Sequence, residues 1–437
     1  MPRYHLWTIG CQMNKAESHR IAGLLTSAGF DAVGSFDDAD LIILNTCVVR
    51  QSAEDRIIGT LGLLERVKRI RPEVNIFVTG CFASLDPAGL QRRFPHVDLF
   101  FGPGEYASLR EWLVAQGLAP DVQEDGCIRL APGDDDSGAS AFVPIIQGCN
   151  NFCTYCIVPY TRGRETSRTP EDIVAEVTGL VAAGTKEVVL LGQNVDSYGH
   201  DLPAHHDLAD LLEMLEPIEG LERIRFLTNH PKDMSQKLIA TMARLDKVCE
   251  HLDLALQSGD NDMLRWMGRG YTVERFEALV RDIRAAMPEV SISTDIIVGF
   301  PGETEEQFQN TYDTLAKLKF DVVHVAAYSP RAGTVASKKY EDSVPADTKH
   351  ARLQCIERLQ EQVAGAINST YEGRVERILV QGSRKGRWYG RTRTDKLVFV
   401  SSEQPLLGQF VDVMITRTSP WALQGDLVQH TGQNQGG

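Results

Sequence analysis

The sequence predicts an α/β protein in three parts: an N-terminal parallel-sheet α/β domain, an open partial (β/α)6 barrel and a small C-terminal antiparallel β-barrel. Apolar strands alternate with helix-like stretches through most of the chain, and that alternation demands parallel strands joined by crossovers. Cysteines recur directly after strands, and the C-terminal stretch abandons helices for short strands with glycine turns. At 437 residues the chain has material for two to four domains of about 100 to 200 residues each. The boundaries read as 1–118, a linker over 119–140, 141–369 and 370–433.

In the first part the strands are Tyr4–Ile9, Leu41–Leu44 and Asn75–Val78, with helices over Glu17–Ala28 and Ser52–Ile70. Gly10-Cys11, Thr46-Cys47 and Gly80-Cys81 follow the strands. Parallel strands finish on one edge, where open α/β sheets collect ligands, so these three cysteines are expected to converge. The stretch Pro120–Ser140, with Asp134-Asp135-Asp136, has the composition of a solvated linker.

The second part carries six strands: Phe142–Gln147, Glu187–Leu191, Arg223–Leu227, His251–Leu256, Val290–Val298 and Asp321–Ala327. Six units are too few to close an eight-stranded barrel, and chemistry is expected at the strand C-terminal ends. Gln193, Gln257, Ser258, Arg269 and Asp295 fall at those ends or in the following loops, as candidates to hold the polar groups of a cofactor. The plain alternative for each is a hydrogen-bonded loop residue.

In the third part Glu372–Val380, Trp388–Arg391, Leu397–Val400 and Phe410–Thr416 read as strands. Between Arg374 and Lys396, six Arg and two Lys face only Glu376 and Asp395, in a chain of net charge −14. Overall acidity opposes non-specific nucleic-acid binding, so basicity concentrated here points to local phosphate contact through Arg374, Arg377, Arg384, Lys385, Arg387, Arg391 and Arg393. Trp388 and Tyr389 are candidate stacking groups. Ordinary solvated strands are the competing explanation.

Nine cysteines in a chain expected to be cytoplasmic suggest metal ligation rather than disulfides. No apolar run approaches the roughly 20 residues that span a bilayer, so a cytoplasmic protein without membrane contact is expected. Cys149, Cys153 and Cys156 stand three and two residues apart just after the first barrel strand. One tight loop can wrap such a trio around a cuboidal cluster, leaving one iron without a protein ligand, because a four-iron cluster otherwise takes four thiolates. Structural zinc, the blander choice, normally shows four ligands in paired knuckles. Cys127, Cys249 and Cys355 lack such company.

This cysteine pattern, with an aromatic Tyr155 before the third cysteine, resembles the radical S-adenosylmethionine superfamily. The resemblance implies that the open iron chelates the methionine moiety, that an electron then yields a 5′-deoxyadenosyl radical, and that Tyr155 packs near the adenine. Further residues narrow it: Gly10 to Asn14, Asn45 to Arg50, Ile157 to Gly163, Leu191 to Val195 and Gly299 to Glu303. Together they resemble the methylthiotransferases across essentially the whole chain, in particular those acting on isopentenyladenosine in tRNA, with a TRAM-like C-terminal module. By that resemblance Cys11, Cys47 and Cys81 hold a second, auxiliary 4Fe-4S cluster; taken singly, each is equally a buried structural thiol.

The implied cofactors are two 4Fe-4S clusters and S-adenosylmethionine. The implied reaction puts a methylthio group on carbon 2 of an adenine next to the anticodon, one S-adenosylmethionine methylating a sulfide on the auxiliary cluster and another supplying the radical. The small barrel is then expected to present RNA to both clusters. Expected partners are tRNA, a sulfur donor and a low-potential electron donor such as flavodoxin or ferredoxin, with the chain a monomer. Rival substrates are threonylcarbamoyladenosine of tRNA and an aspartate of a ribosomal protein. Thr161-Arg162-Gly163 and Asn229-His230-Pro231 favour isopentenyladenosine by resemblance. A different class, a two-cluster electron carrier with an RNA-binding domain, needs neither a half-barrel nor an open iron.

Overall fold

The computed structural model describes residues 1–48, 51–117 and 138–428. Val49, Arg50, Cys127, residues 119–137 of the expected linker and residues 429–433 of the expected last part lie outside the described residues.

The first unit comprises β1 (Arg3–Thr8), α1 (Gln12–Ser27), β2 (Asp31–Ala32), β3 (Leu41–Thr46), α2 (Gln51–Ile70), β4 (Asn75–Gly80), α3 (Pro87–Arg93), β5 (Leu99–Phe101) and α4 (Tyr106–Ala115). Its sheet is parallel throughout, in the order β2-β1-β3-β4-β5. The unbroken apolar run of β3 follows from burial on both faces. Leu41 and Ile43 pack with Ile21, Leu25 and Leu113 on one side, while Ile42 and Leu44 pack with Ile57, Leu61 and Leu64 on the other. Strands β3 and β4 run two residues further than their apolar pattern, because Asn45 and Thr46 still pair in register with Thr79 and Gly80. Chain order reverses between β1 and β3, the place where sheets of this kind leave a crevice.

The second unit comprises β6 (Ser140–Pro144), β7 (Ile146–Gln147), α5 (Val158–Thr161), β8 (Thr166–Ser167), α6 (Pro170–Ala182), β9 (Glu187–Leu191), α7 (Leu208–Leu215), β10 (Arg223–Phe226), α8 (Gln236–Arg244), β11 (His251–Asp253), α9 (Asn261–Met267), α10 (Val273–Ala286), β12 (Ser291–Val298), α11 (Glu305–Leu318), β13 (Val322–Ala327), α12 (Val335–Lys339) and α13 (Ala346–Ser369). Six parallel strands run β6-β9-β10 and β11-β12-β13, and the bridges Ile224↔Val248 and Asn229↔Leu254 join the two halves. The expected strand Phe142–Gln147 breaks at Ile145, because Ile146 and Gln147 leave the barrel ladder to pair antiparallel with β8. That small pair closes the base of the cysteine loop. Helix α1 of the first unit covers part of the lumen, its Met13 and Ala16 packing on Phe142, Val189, Leu191 and Leu227.

The third unit is a closed barrel of β14 (Val375–Arg384), β15 (Arg387–Arg391), β16 (Leu397–Val400), β17 (Phe410–Thr418) and β18 (Leu423–Leu427), in the order β14-β15-β16-β18-β17. Four pairings are antiparallel and β16–β18 is parallel. The fifth strand was hidden in the sequence by its polar Gln424, Gly425 and Asp426. Among the described residues no helix is long and apolar enough to cross a membrane.

Candidate active site

Cys11 caps the start of α1, Cys47 follows β3 and Cys81 follows β4, so three crossovers bring to one sheet edge residues that are distant in the chain. The approach is close. At Gly10, with φ of +144°, an added Cβ would lie 2.7 Å from the Cys47 Cβ, which only glycine avoids. Asn14 and Asn45 brace the edge: the Asn14 amide donates to Asn45 Oδ1 at 2.9 Å and to the Thr46 carbonyl at 3.0 Å, and Asn45 donates to the Asn14 carbonyl at 2.7 Å. The Cys11 thiol donates to Asn14 Oδ1 at 3.2 Å. Cys47 and Cys81 are buried while Cys11 is exposed. Burial pushes the Cys81 thiol up, and the neighbouring Arg162 guanidinium pulls against it.

The second trio is set by its own loop. Gly148, at φ +81°, sits where a side chain would overlap the Arg164 carbonyl, and its N–H donates to Gln193 Oε1 at 2.6 Å. Cys149 N–H donates to the Gly163 carbonyl at 3.2 Å, Cys156 N–H to the Cys153 carbonyl at 3.0 Å, and Thr154 N–H to the Met267 carbonyl at 2.9 Å. Arg269, buried, donates from Nη1 to Cys153 Sγ at 3.4 Å and from Nη2 to the Ala255 carbonyl at 2.8 Å. Burial, reinforced by the Cys153 charge, pushes Cys156 up to about 12, and burial also raises Cys149. Such thiols ionise when a metal charge is placed among them.

No cysteine among the described residues is in a disulfide. No three His, Cys, Asp or Glu among the described residues gather closely enough to hold a single metal ion. A cuboidal cluster takes each thiolate on a different iron and therefore spaces its ligands more widely than one ion does. Two sets of three soft sulfur donors, each receiving an arginine N–H, suit such a cluster with one iron left open.

Cys11, Cys149, Cys153 and Cys156 all line one cavity of about 1380 Å³ that runs through the partial barrel. Tyr155, Gln193, Gln257, Arg269 and Asp295 line it too. Tyr155 packs beside Met263, Met267, Phe300 and Tyr328. Gln257 is held at φ +73° by its N–H to the Asp295 carbonyl, 2.8 Å. Ser258 is the exception: fully buried off the cavity, it shares a 3.3 Å hydrogen bond with the Thr311 hydroxyl and accepts from Asp260 N–H. The next position along the chain is turned away from the cavity toward α11, whose Thr311 it meets.

Arg162, Asn229 and His230, read from the sequence only as marks of resemblance, belong to two side-chain groups whose partners Glu17 and Asp196 the sequence reading did not single out. Arg162 Nε donates to Cys81 Sγ at 3.2 Å, and its Nη1 pairs with Glu17 at 2.7 Å. At the ends of β9 and β10, Asp196 accepts from Asn229 Nδ2 at 2.6 Å and His230 N–H at 2.9 Å, with burial pushing its carboxyl up to about 7. Burial, with Arg269 and Lys232 adding to it, pushes His230 down to about 2, leaving a neutral imidazole on the cavity wall.

The small barrel docks on the strand N-terminal edge of the partial barrel, opposite the cysteine loop, and several of the arginines expected to meet RNA have protein partners there. Arg393 donates to both Glu250 oxygens at 2.7 and 2.8 Å and to the Asp246 and Val248 carbonyls. Arg374 pairs with Glu289 at 3.0 Å, Arg377 with Glu222 at 3.5 Å, and Arg391 with Asp395 at 2.9 Å. Arg223 and Arg225, at the start of β10, donate back to the carbonyls of Arg377, Arg391, Thr392 and Arg393. Arg384 and Lys385 remain exposed at the β14–β15 turn; Arg387, also exposed, donates to Gln424 at 3.0 Å. Trp388 donates its indole N–H to the Ser402 carbonyl at 3.2 Å, whereas Tyr389 and the 61 % exposed Trp421 line the cavity.

Residues 143–315 match the Radical SAM superfamily, residues 3–102 the Uncharacterized protein family UPF0004, and residues 369–428 the TRAM domain. A protein of Dehalococcoides mccartyi (strain CBDB1) named tRNA-2-methylthio-N(6)-dimethylallyladenosine synthase is 49% identical over 98% of this chain and 99% of its own length. A protein of the same name from Chloroflexus aurantiacus is 45% identical over 97% of this chain and 91% of its own. The solved structure of TsrM, a radical S-adenosylmethionine methyltransferase from Kitasatospora setae, aligns with a TM-score of 0.55 over 77% of this chain and 74% of its own, at 16% identity, and speaks to the fold alone.

Proposed function

The chain belongs to the tRNA-2-methylthio-N(6)-dimethylallyladenosine synthase family, and on that premise we propose that it places a methylthio group on carbon 2 of dimethylallyl (isopentenyl) adenosine next to the tRNA anticodon. As a radical S-adenosylmethionine enzyme it uses S-adenosylmethionine and a 4Fe-4S cluster, which we assign to Cys149, Cys153 and Cys156. We assign a second 4Fe-4S cluster to Cys11, Cys47 and Cys81. Carbon 2 bears an unactivated C–H bond that acid–base chemistry does not replace, and the bound cofactors supply a carbon radical able to abstract that hydrogen. The observation that carries the reading is that both cysteine trios reach one cavity, through Cys11 on one side and Cys149, Cys153 and Cys156 on the other.

The chain's own residues shape that cavity. Gln193 fixes the entry to the cysteine loop, and Gln257, Asp295 and Tyr155 offer polar and aromatic walls for S-adenosylmethionine. Met13, Phe142, Leu191 and Leu227 exclude water along the face under α1. Neutral His230 accepts the Lys232 N–H at Nδ1, 3.2 Å, so its Nε2 carries a proton. Arg384, Lys385 and Arg387, exposed around the β14–β15 turn, supply phosphate contacts, and Tyr389 and Trp421 supply stacking surface on the cavity wall. In this division residues 1–118 hold the auxiliary cluster, 141–369 the radical chemistry and 370–433 the RNA contacts, with 119–140 linking the first two. A sulfur donor and a low-potential reductant such as flavodoxin or ferredoxin complete the cycle of a monomeric, cytoplasmic enzyme.

Nucleoside mass spectrometry of tRNA from a strain lacking this chain tests the substrate. Loss of the 2-methylthio-dimethylallyl nucleoside, accumulation of its unthiolated precursor and restoration by the intact gene are expected. An unchanged level of the 2-methylthio-dimethylallyl nucleoside, with the methylthio group lost instead from threonylcarbamoyladenosine or a ribosomal aspartate, redirects the assignment.

A further inference from the structure

Arg162 belongs to the radical domain, yet its side chain serves the other cysteine site. Six positions after Cys156, it ends α5 with its N–H on the Val158 carbonyl at 2.8 Å. From there it crosses to the first unit, where Nε lies 3.2 Å from Cys81 Sγ while Nη1 and Nη2 meet the two Glu17 oxygens at 2.7 and 3.3 Å. Both side chains of the pair are almost wholly buried, with 2% and 7% exposure. A bidentate carboxylate pins the guanidinium plane, so its Nε–H has one direction left to point, toward the sulfur. Ile157 of the same loop packs into the first unit's core beside Cys81 and Phe82, which holds the crossing in place.

We propose that Arg162, oriented by Glu17, is a positioning residue that sets the reduction potential of the auxiliary cluster from the loop that carries the radical cluster's ligands. The inference rests on the assignment of a cluster to Cys11, Cys47 and Cys81. An N–H donated to a ligand sulfur, with a positive charge behind it, stabilises the reduced cluster, because hydrogen bonds to sulfur and local charge are levers on iron–sulfur potentials. The arrangement also ties that potential to correct seating of the two units, since donor and acceptor come from different ones.

The test uses the full chain with Cys149, Cys153 and Cys156 all changed to Ala, reconstituted anaerobically and titrated while its paramagnetic reduced signal is followed. This parent is expected to hold about four irons. Adding R162M and E17M together removes donor and counter-charge at similar volume, the exchange that buried ion pairs tolerate best. The expected result is a fall in midpoint by tenfold in the one-electron equilibrium, about 59 mV, with iron retained. R162K, which keeps the charge but not the fork, is expected to fall less. An unchanged midpoint at full iron content overturns the inference and leaves the cluster assignment standing, whereas a parent without iron removes both. If R162M/E17M holds no iron, R162K and E17Q decide, and midpoints equal to the parent's in both overturn it.

Discussion

Cys149, Cys153 and Cys156 occupy one loop of eight residues, whereas 36 and then 34 positions separate Cys11, Cys47 and Cys81 along the chain. The loop trio is shaped by turns within itself, a positive-φ Gly148 and the Gln193 brace. The sheet-edge trio exists only when β1, β3 and β4 are paired in register and Asn14 and Asn45 are interlocked. One site is a local structure docked on a scaffold, and the other is the scaffold's own edge. They nevertheless share a device: a buried arginine donates to one sulfur of each, Arg269 to Cys153 and Arg162 to Cys81.

The largest effects separate the two sites by chemistry. Cys149→Ala is expected to lower bound iron from about eight to about four per chain and to abolish both 5′-deoxyadenosine formation and methylthiolated product. Cys47→Ala should lose the same amount of iron and all product but still form 5′-deoxyadenosine. Equal loss of that cleavage in both variants, measured by chromatography, breaks the distinction between them.

A packing change sharpens the difference in construction. Phe77 lies fully buried in β4 among Ile21, Leu25 and Trp112. Phe77→Ala is expected to cost about 3–5 kcal/mol in the first unit. Iron on the sheet-edge trio should become labile on mild warming while iron on the loop trio persists, followed by iron content against temperature. Equal lability of both would show that the loop depends on the sheet as much as the edge does.

The smallest effect concerns the basic barrel. Arg384→Ala should weaken tRNA binding and reduce the slope of log affinity against log salt by about 1, the signature of one lost phosphate contact. Arg393→Ala should leave that slope unchanged and lower thermal stability, since its guanidinium is spent on Glu250 and two carbonyls. A salt slope reduced in Arg393→Ala would return that residue to the RNA surface.

Charge counting along the sequence treated Arg384 and Arg393 alike, and nothing in their neighbours distinguishes them. Ser258 and Gln257 were equally indistinguishable, although one lines the cavity and the other binds Thr311. By contrast β9 was legible to the residue, Glu187–Leu191, because a doubly covered strand writes its burial into consecutive side chains. The cysteine loop was legible because spacing over a few residues is geometry. The edge trio was legible more indirectly, through the rule that parallel strands end together.

The sequence by itself therefore determined the main βα alternation of the first two parts, the loop trio and the edge on which the other trio gathers. All of these follow from apolar periodicity and backbone connectivity acting over short stretches. Tertiary structure alone decided that Arg162 meets Glu17, 145 positions away, and that Arg393 meets Glu250. A long cationic side chain satisfies itself equally with water, a phosphate or a carboxylate, so its partner is fixed only when packing brings one surface against another.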